Sequence, residues 1–540
     1  MSTRTRDVIV VGGGHNGLVC AAYLARAGLD VLVLERRHDP GGAAATEEPW
    51  PGHRISTASY VVSLMPDRLV TELNLRRHGY RVSILEPDYY VPYADGSSLT
   101  LWGDADRTAA ELAHFSRSDA EAYIGFDAYL SRLGRLMHDL LFVVPPNLTL
   151  GDLPRWSGLV GRLRRWRGSD VAEVIRLFTI SAADLLDEWF EDERVKGALA
   201  TQAIIGAWNG PMSPGSAYVL LHHWMGEIDG HEGAWGWVHG GMGMVGSVLA
   251  EAARVAGAEL RTDTKVERIA VAGGRAEGVV LEDGSIERAG RIVSNAHPTT
   301  TLLDLVGDAH LAPDVVANVR RYRSRSGSVK VNLVLSELPR PRAWNGPVPG
   351  DPHTGIMAIS PSVEYLERAW DDAKYGRCSE HPYIEAVFPT VFEPDLVPGG
   401  RHVALCFTQF GPYELADGSW DDHRDAYGRR VVQTLAEACP GIDSSVVEME
   451  VLSPVDIEAR FGLIGGNIFQ GDMTPDQMFS MRPIPGYADY RMPVRNLYLC
   501  GSGTHPGGGV MGVPGYNCAR VVARDARRAR LSRRQREEAD

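Results

Sequence analysis

The chain has 540 residues, 55 basic and 69 acidic side chains and a formal charge of −14. Its hydrophobic fraction of 44% supplies apolar mass for two or three domains and excludes a disordered acidic chain, while the negative field argues against a general nucleic-acid binder. Six cysteines (Cys20, Cys378, Cys406, Cys439, Cys500 and Cys518) form no CxxC pair, so no disulfide scaffold, redox pair or metal site is expected, and a reducing compartment is.

At the amino terminus, Arg4 and Arg6 precede only the short apolar run Val8–Val11, which is too short for a signal peptide. No run of apolar residues is long enough for a transmembrane helix. A cytoplasmic protein is expected.

Residues 7–11 read as a buried parallel strand, and Gly12-Gly13-Gly14-His15-Asn16-Gly17 follows at once. Residues 18–27 read as a helix closed by Gly28, and residues 29–34 as a second strand ending in Glu35. This is G-x-G-x-x-G between strand and helix. Gly12 permits the turn, Gly14 lets backbone approach a pyrophosphate, and Gly17 lets helix pack on strand. The helix N-terminus, with His15 and Asn16, offers N–H groups to phosphates, and Glu35 can accept from ribose hydroxyls. A dinucleotide site is the expectation. Arg36 and Gly41-Gly42-Ala43 follow directly and resemble the second glycine motif of glutathione-reductase-type FAD proteins. Arg36 would suit an NADP phosphate, but the double glycine favours FAD.

Residues 104–146 and 170–208 have helical periodicity. Between them, residues 155–167 bring Trp156, Leu159, Val160, Leu163 and Trp166 near one face, with arginines over much of the other. This pattern suits an interfacial helix, although a surface helix packed on its own domain is the favoured reading. His239-Gly240-Gly241-Met242-Gly243-Met244-Val245-Gly246 repeats the G-x-G-x-x-G spacing, but no strand of proper length precedes it. It reads as a loop entering a helix over 244–256, so one nucleotide cofactor is expected. Short strands follow near 258–261, 265–269, 277–281, 285–288 and 291–293, and Val266 is a positional candidate for an adenine edge. Residues 328–335, 383–388 and 402–407 read as strands of a mixed substrate domain. The FAD-binding part is expected over 1–80, 236–300 and 456–525 and the substrate part over 81–235 and 301–455. A charged tail over 526–540 begins as helix and frays.

Asn496–Leu499 is a strand running into Cys500-Gly501-Ser502-Gly503-Thr504-His505-Pro506-Gly507-Gly508-Gly509, and residues 516–526 read as a helix. This second cradle is expected to return beside the first strand.

The two ends resemble the flavin-dependent amine oxidase and phytoene desaturase superfamily. Residues 56–64, 221–223, 231–243, 465–469 and 497–515 more closely resemble the family of pyridine nucleotide-disulfide oxidoreductase domain-containing protein 2 and its bacterial relatives. The resemblance implies an α/β plus α+β fold: a glutathione-reductase-type FAD-binding Rossmann-like domain with an interleaved mixed-sheet and helical substrate domain. It assigns Gly501, Ser502 and Gly503, with Gly512, Val513 and Pro514, to the flavin ribityl chain and ring. Gly501-Ser502 stands where many relatives carry Gly-Asp, so a carboxylate near the ribityl-phosphate region is missing. The disulfide centre in the family's name has no counterpart in the sequence.

A flavin takes hydride from an activated C–H bond, and the protein supplies position and electrostatics. His505 and His239 are the candidate catalytic residues among His222, His223, His231, His239 and His505. The leading expectation is an FAD-dependent oxidoreductase taking hydride from an apolar, isoprenoid-like small molecule, with oxygen or a quinone as acceptor. An FAD-dependent amine oxidase and a non-catalytic flavin-bound interaction protein are the alternatives. Self-association and peripheral membrane contact through 155–167 are left open.

Overall fold

The computed structural model describes residues 5–164 and 166–537. Val8–Val11 has no polar side chain and is buried throughout, as a strand flanked on both sides and covered on both faces requires. It pairs in parallel with Val31–Leu34 and with Ile292–Ser294. Glu259–Arg261 joins one edge and Leu497–Leu499 the other, giving a five-stranded parallel sheet. The first and last of these strands in the sequence are thus separated by a single strand in space.

The helix His15–Arg26 leaves the first glycine turn and packs between Gly243–Val255 and the long helix Val513–Glu537. The contact with the long helix is backbone-close, since a Cβ at Gly515 would lie 2.0 Å from the Asn16 carbonyl oxygen. A three-stranded antiparallel sheet, Val266–Ala272, Arg275–Leu281 and Ile286–Arg288, lies alongside.

The second large layer is a seven-stranded sheet. Its order is Val446–Leu452, Ser328–Leu335, His402–Gln409, Tyr383–Val387, Ile356–Ile359, Tyr89–Pro92 and Ser98–Leu101. Pairing is antiparallel except between Ile356–Ile359 and Tyr89–Pro92. Val329, Val331, Leu333, Ala404 and Cys406 pack with Tyr427, Val431 and Leu435 of the helix Trp420–Ala438.

The sequence expectations over 328–335, 383–388 and 402–407 are met within a few residues. Four strands of the same sheet, at 89–92, 98–101, 356–359 and 446–452, carry too little periodicity to be read in advance. The carboxy-terminal helix departs from expectation. It runs unbroken to Glu537, through a stretch of Ala, Arg, Leu, Gln and Glu that all favour helix, instead of fraying after 526; residues 538–540 lie outside the described residues. The second G-x-G-x-x-G is preceded by a strand after all, but Gly236–Val238 is only three residues long and antiparallel to Val82–Ile84. Its turn is occupied by the protein itself: Gly240 N donates to the Glu393 carboxylate and Gly243 N to Thr46 Oγ1 at 2.9 Å.

Gly515→Leu is expected to separate the two helices that carry Asn16 and the 501–510 segment. The protein should lose its bound cofactor and melt at lower temperature, readable together by absorbance and thermal unfolding.

Candidate functional site

Between the five-stranded and seven-stranded layers lies a cavity of about 690 Å³. One end is the first glycine turn. Gly12 N donates to Leu34 O at 2.8 Å, and Gly41 N donates to Gly13 O at 2.9 Å, so the second glycine motif is tied to the first. A Cβ on Gly42 would stand 3.3 Å from Gly14 Cα, and one on Gly14 would meet Asn295 Nδ2 at 2.6 Å. A side chain at either glycine would have to displace a neighbour, and Gly42 also holds a left-handed φ of +68°. The buried Glu35 carboxylate accepts from Gly13 N at 2.6 Å and Arg37 N at 2.8 Å, which fixes it at the cavity wall with lone pairs remaining.

The residues here fit a polar dinucleotide. Gly12, Gly14, His15, Asn16, Glu35, Arg36, Gly42 and Ala43 all line the cavity, and so do Val266 and Ser502. Asn16 Nδ2 donates to Ser502 Oγ at 3.0 Å, across 486 residues of sequence. Five buried polar atoms on the lining, His15 Nε2, Asn16 Oδ1, Gln470 Oε1, Ser63 Oγ and Ser328 Oγ, have no partner among the described residues. Buried polar atoms are nearly always hydrogen-bonded, so this wall is built for a ligand that bonds to it.

Other expected positions lie just outside. Gly17 packs against the Gly12 carbonyl and Asn295, and Gly41 against Gly246. Gly501 and Gly503 abut Asn295 and Pro298, which shapes the turn that presents Ser502. Gly512, Val513 and Pro514 also do not line the cavity; Gly509 and Val510 do, so the lining segment sits a few residues earlier. Asn295, unnoticed in the sequence, wedges against Gly14 and Gly17 while its backbone N donates to Val11 O at 2.8 Å. Its only sequence signal was a polar residue directly after a strand.

The far end of the cavity rests on the seven-stranded sheet. Register puts Lys330, Phe407 and Glu385 side by side across three strands. Tyr60 lies over this row. Its ring stacks on Phe407 with centroids 5.7 Å apart, its hydroxyl donates to Glu385, and the Lys330 ammonium sits 5.0 Å from its centroid. Glu385 is fully buried and also accepts from Tyr89, at 2.7 Å, and Tyr383. Burial raises its pKa, opposed by the three phenol donors. Lys330 lines the cavity, and burial pulls its pKa down to about 7, against the raising fields of Cys406 and Glu450. Its Nζ donates to Asn332 Oδ1 at 2.9 Å. Around it the lining is Tyr60, Val61, Leu64, Ile205, Trp235, Phe407 and Phe469. Lys330 gave no signal in the sequence, because its place depends on strand register.

The two expected catalytic histidines are corrected by this geometry. His505 pairs its Nε2 with Leu140 O at 3.0 Å, packs edge-on against Phe479 and is absent from the cavity wall. His239 is half-buried, pairs with Ser83 Oγ at 2.8 Å and is likewise absent. Both belong to loops whose position in sequence says nothing about side-chain direction. The histidine of that group that reaches the cavity is His223. Its Nδ1 meets the carbonyls of Gln202 and Val219 at 2.8 and 3.0 Å. Two acceptors on one nitrogen place the proton there and leave Nε2 as an acceptor. Burial lowers the His223 pKa to about 4, so it is neutral.

Arg482 holds the wall from behind. It is fully buried and donates to the carbonyls of Phe469 and Ser502 at 2.7 and 2.8 Å, with longer bonds to Asp472 and Gln477. Among the described residues it makes no ion pair.

A parallel sheet with a glycine cradle, joined through one cavity to a sheet-floored apolar chamber, is the arrangement of a dinucleotide-dependent oxidoreductase. The pattern of the NAD(P)-binding Rossmann-like domain matches residues 10–73. Pyridine nucleotide-disulfide oxidoreductase domain-containing protein 2 of Rattus norvegicus is 39% identical, covering 96% of this chain and 93% of that protein. A limonene dehydrogenase component of Castellaniella defragrans is 28% identical over 96% and 94%. The structure of cyclohexylamine oxidase from Brevibacterium oxydans IH-35A superposes with a TM-score of 0.58 at 16% identity, covering 97% of this chain and 99% of that one. The chain belongs to the family of pyridine nucleotide-disulfide oxidoreductase domain-containing protein 2. It is an enzyme of redox chemistry, and the non-catalytic reading is set aside.

Gly14→Val is expected to give folded protein without visible flavin absorbance, since the side chain fills the crossing of the two motifs. Arg482→Met leaves several buried carbonyls without donors and should cost about 3 kcal/mol or more, measured by the denaturant midpoint.

Proposed function

We propose that the protein is an FAD-dependent oxidase of apolar small molecules, with amines as its first substrate class. FAD is held with its adenosine half at Glu35 and Val266, its pyrophosphate at the Gly12–Gly17 and Gly41–Ala43 backbones, and its ribityl chain beside Asn16 and Ser502. When bound, the flavin accepts hydride from a substrate C–H bond. Oxygen is the proposed electron acceptor, with a quinone as the alternative.

One observation carries the amine reading: among the described residues, the only charged side chain between the aromatic and aliphatic groups of the far chamber is Lys330, poised near pH 7. A C–H bond next to nitrogen gives up hydride only when that nitrogen is unprotonated. The chamber presents no carboxylate to an ammonium ion, because Glu385 is covered by three tyrosines. It therefore favours the neutral amine. Neutral Lys330 can take the proton an arriving ammonium must lose, and Asn332 holds its Nζ in place. His223 Nε2 can accept a hydrogen bond from a substrate N–H.

Desaturation of an isoprenoid is the second reading. The apolar lining favours it, as does the likeness to a protein named for limonene dehydrogenation.

Anaerobic addition of hydrophobic primary amines to the holoenzyme should bleach the flavin bands, and air should then yield peroxide. Bleaching by terpenoids but not amines would overturn the amine reading in favour of the second. With the active amine, kcat/KM should rise with pH through about 7 as Lys330 loses its proton. Lys330→Met should lose that inflection and about a hundredfold in rate; an unchanged profile would remove Lys330 from the chemistry.

A further inference from the structure

The segment after the long helix Arg117–Leu141 takes no part in the cavity, yet it carries a concentration of exposed apolar side chains. Leu148, Leu150, Leu153 and Val160 are 55%, 86%, 61% and 54% exposed. The helix Leu153–Leu163 lays its expected apolar face on its own domain, as the favoured sequence reading has it: Leu159 is buried, Trp156, Leu163 and Trp166 are half-buried, and Val160 is the member of that face left exposed. Trp156 Nε1 donates to Asn147 O at 3.2 Å. The ridge facing outward is Leu150, Leu153 and Val160, and the helix is anchored beneath by Arg155, which pairs with Asp152 and Asp489 at 3.0 and 2.9 Å.

The charge around this ridge is one-sided. Arg162, Arg164 and Arg167 are exposed and make no ion pair among the described residues; Arg165 lies outside them. Arg524 of the carboxy-terminal helix stands near enough to Arg155 and Arg528 that burial and then their charges, with that of Arg491, lower its pKa. The nearby acids are already used: Asp152 and Asp489 by Arg155, and Asp525 by Arg491. A chain of net charge −14 thus presents a local cationic rim around exposed leucines.

We propose that this ridge is the site by which the protein docks on an anionic lipid bilayer, with Leu150, Leu153 and Val160 entering the interface and Arg162, Arg164 and Arg524 meeting the headgroups. Apolar residues flanked by arginines on a convex helix fit the headgroup boundary. A second copy of this chain fits poorly, because a two-fold pairing of the ridge would set arginine against arginine. The carbonyls of Leu140 and Leu141, at the end of the preceding helix, accept from His505 and, at 2.8 Å, from Asn517, which ties that helix end to the carboxy-terminal segment. The surface stands independently of whether amines are the substrate.

The test is co-sedimentation of the full-length holoenzyme with phosphatidylcholine vesicles, with and without phosphatidylserine. Binding should require phosphatidylserine and weaken as salt rises. Leu150→Glu with Leu153→Glu should weaken binding roughly tenfold or more while the flavin spectrum stays unchanged. Arg162→Glu with Arg164→Glu, which leaves the apolar ridge intact, should also abolish the phosphatidylserine preference. No binding to either vesicle, or binding untouched by both double variants, overturns the proposal. Lipid-free dimers that the leucine variant dissociates would assign the ridge to a second copy and overturn it as well.

Discussion

The structure is organised by the near-contact of two glycine backbones. A carbon added to Gly42 would stand 3.3 Å from Gly14 Cα, and one added to Gly14 would strike the Asn295 side chain at 2.6 Å. That approach requires the first turn to be tight, the second motif to hydrogen-bond to it, and Asn295 to close the third side. In the proposed function the phosphates of the cofactor would be met here by backbone N–H groups, whose dipoles favour anions. The parallel sheet brings these three segments together, and its five strands come from three distant parts of the chain, within 8–34, 259–294 and 497–499.

The opposite wall uses another physics. There a sheet face supplies the floor, and its register sets a lysine, a phenylalanine and a glutamate in one row. Tyr60 then bridges them through stacking, a hydrogen bond and a cation–π contact. The ammonium is destabilised by burial and the carboxylate is masked by phenols, so two ionisable groups share a chamber that presents an almost neutral surface. The wall between the two ends is pinned by Arg482 through carbonyl oxygens alone, which fixes loop geometry without adding a carboxylate near the flavin site.

The first forty-five residues were legible because each signal there is local, whereas the strands Thr46–Trp50 and His53–Ser56 that follow were not read. A buried strand, a glycine turn, a helix and an acidic stop occur in order within one βαβ stretch, and Gly14, Asn16, Glu35 and Gly42 follow from the spacing. The decoy at 239–246 was also legible, since no apolar strand of proper length precedes its glycines. Lys330 was not: as a lone lysine in an apolar strand, it acquires meaning only from pairing with residue 407, 77 positions later. His505 misled for the same reason in reverse. Its place in the glycine loop is local information, but the direction of its ring is set by the carbonyl of Leu140, far away in sequence. Strands such as Val446–Leu452 escaped notice because alternating Glu and Val mark a half-exposed edge, which resembles many surface segments.

The bond from Asn16 to Ser502 joins the two ends of the chain at the cavity wall. Anything that occupies this cavity touches both ends, and the intervening layers as well. Ligand binding and completion of the fold are therefore one equilibrium, and the ligand's binding free energy enters the stability of the whole molecule by mass action. Folding cannot be finished by the amino-terminal half during synthesis, because the cradle lacks a wall until residue 502 has been made. A cofactor bound here would act on this chain as a late structural component, adding to the stability of the whole fold by mass action.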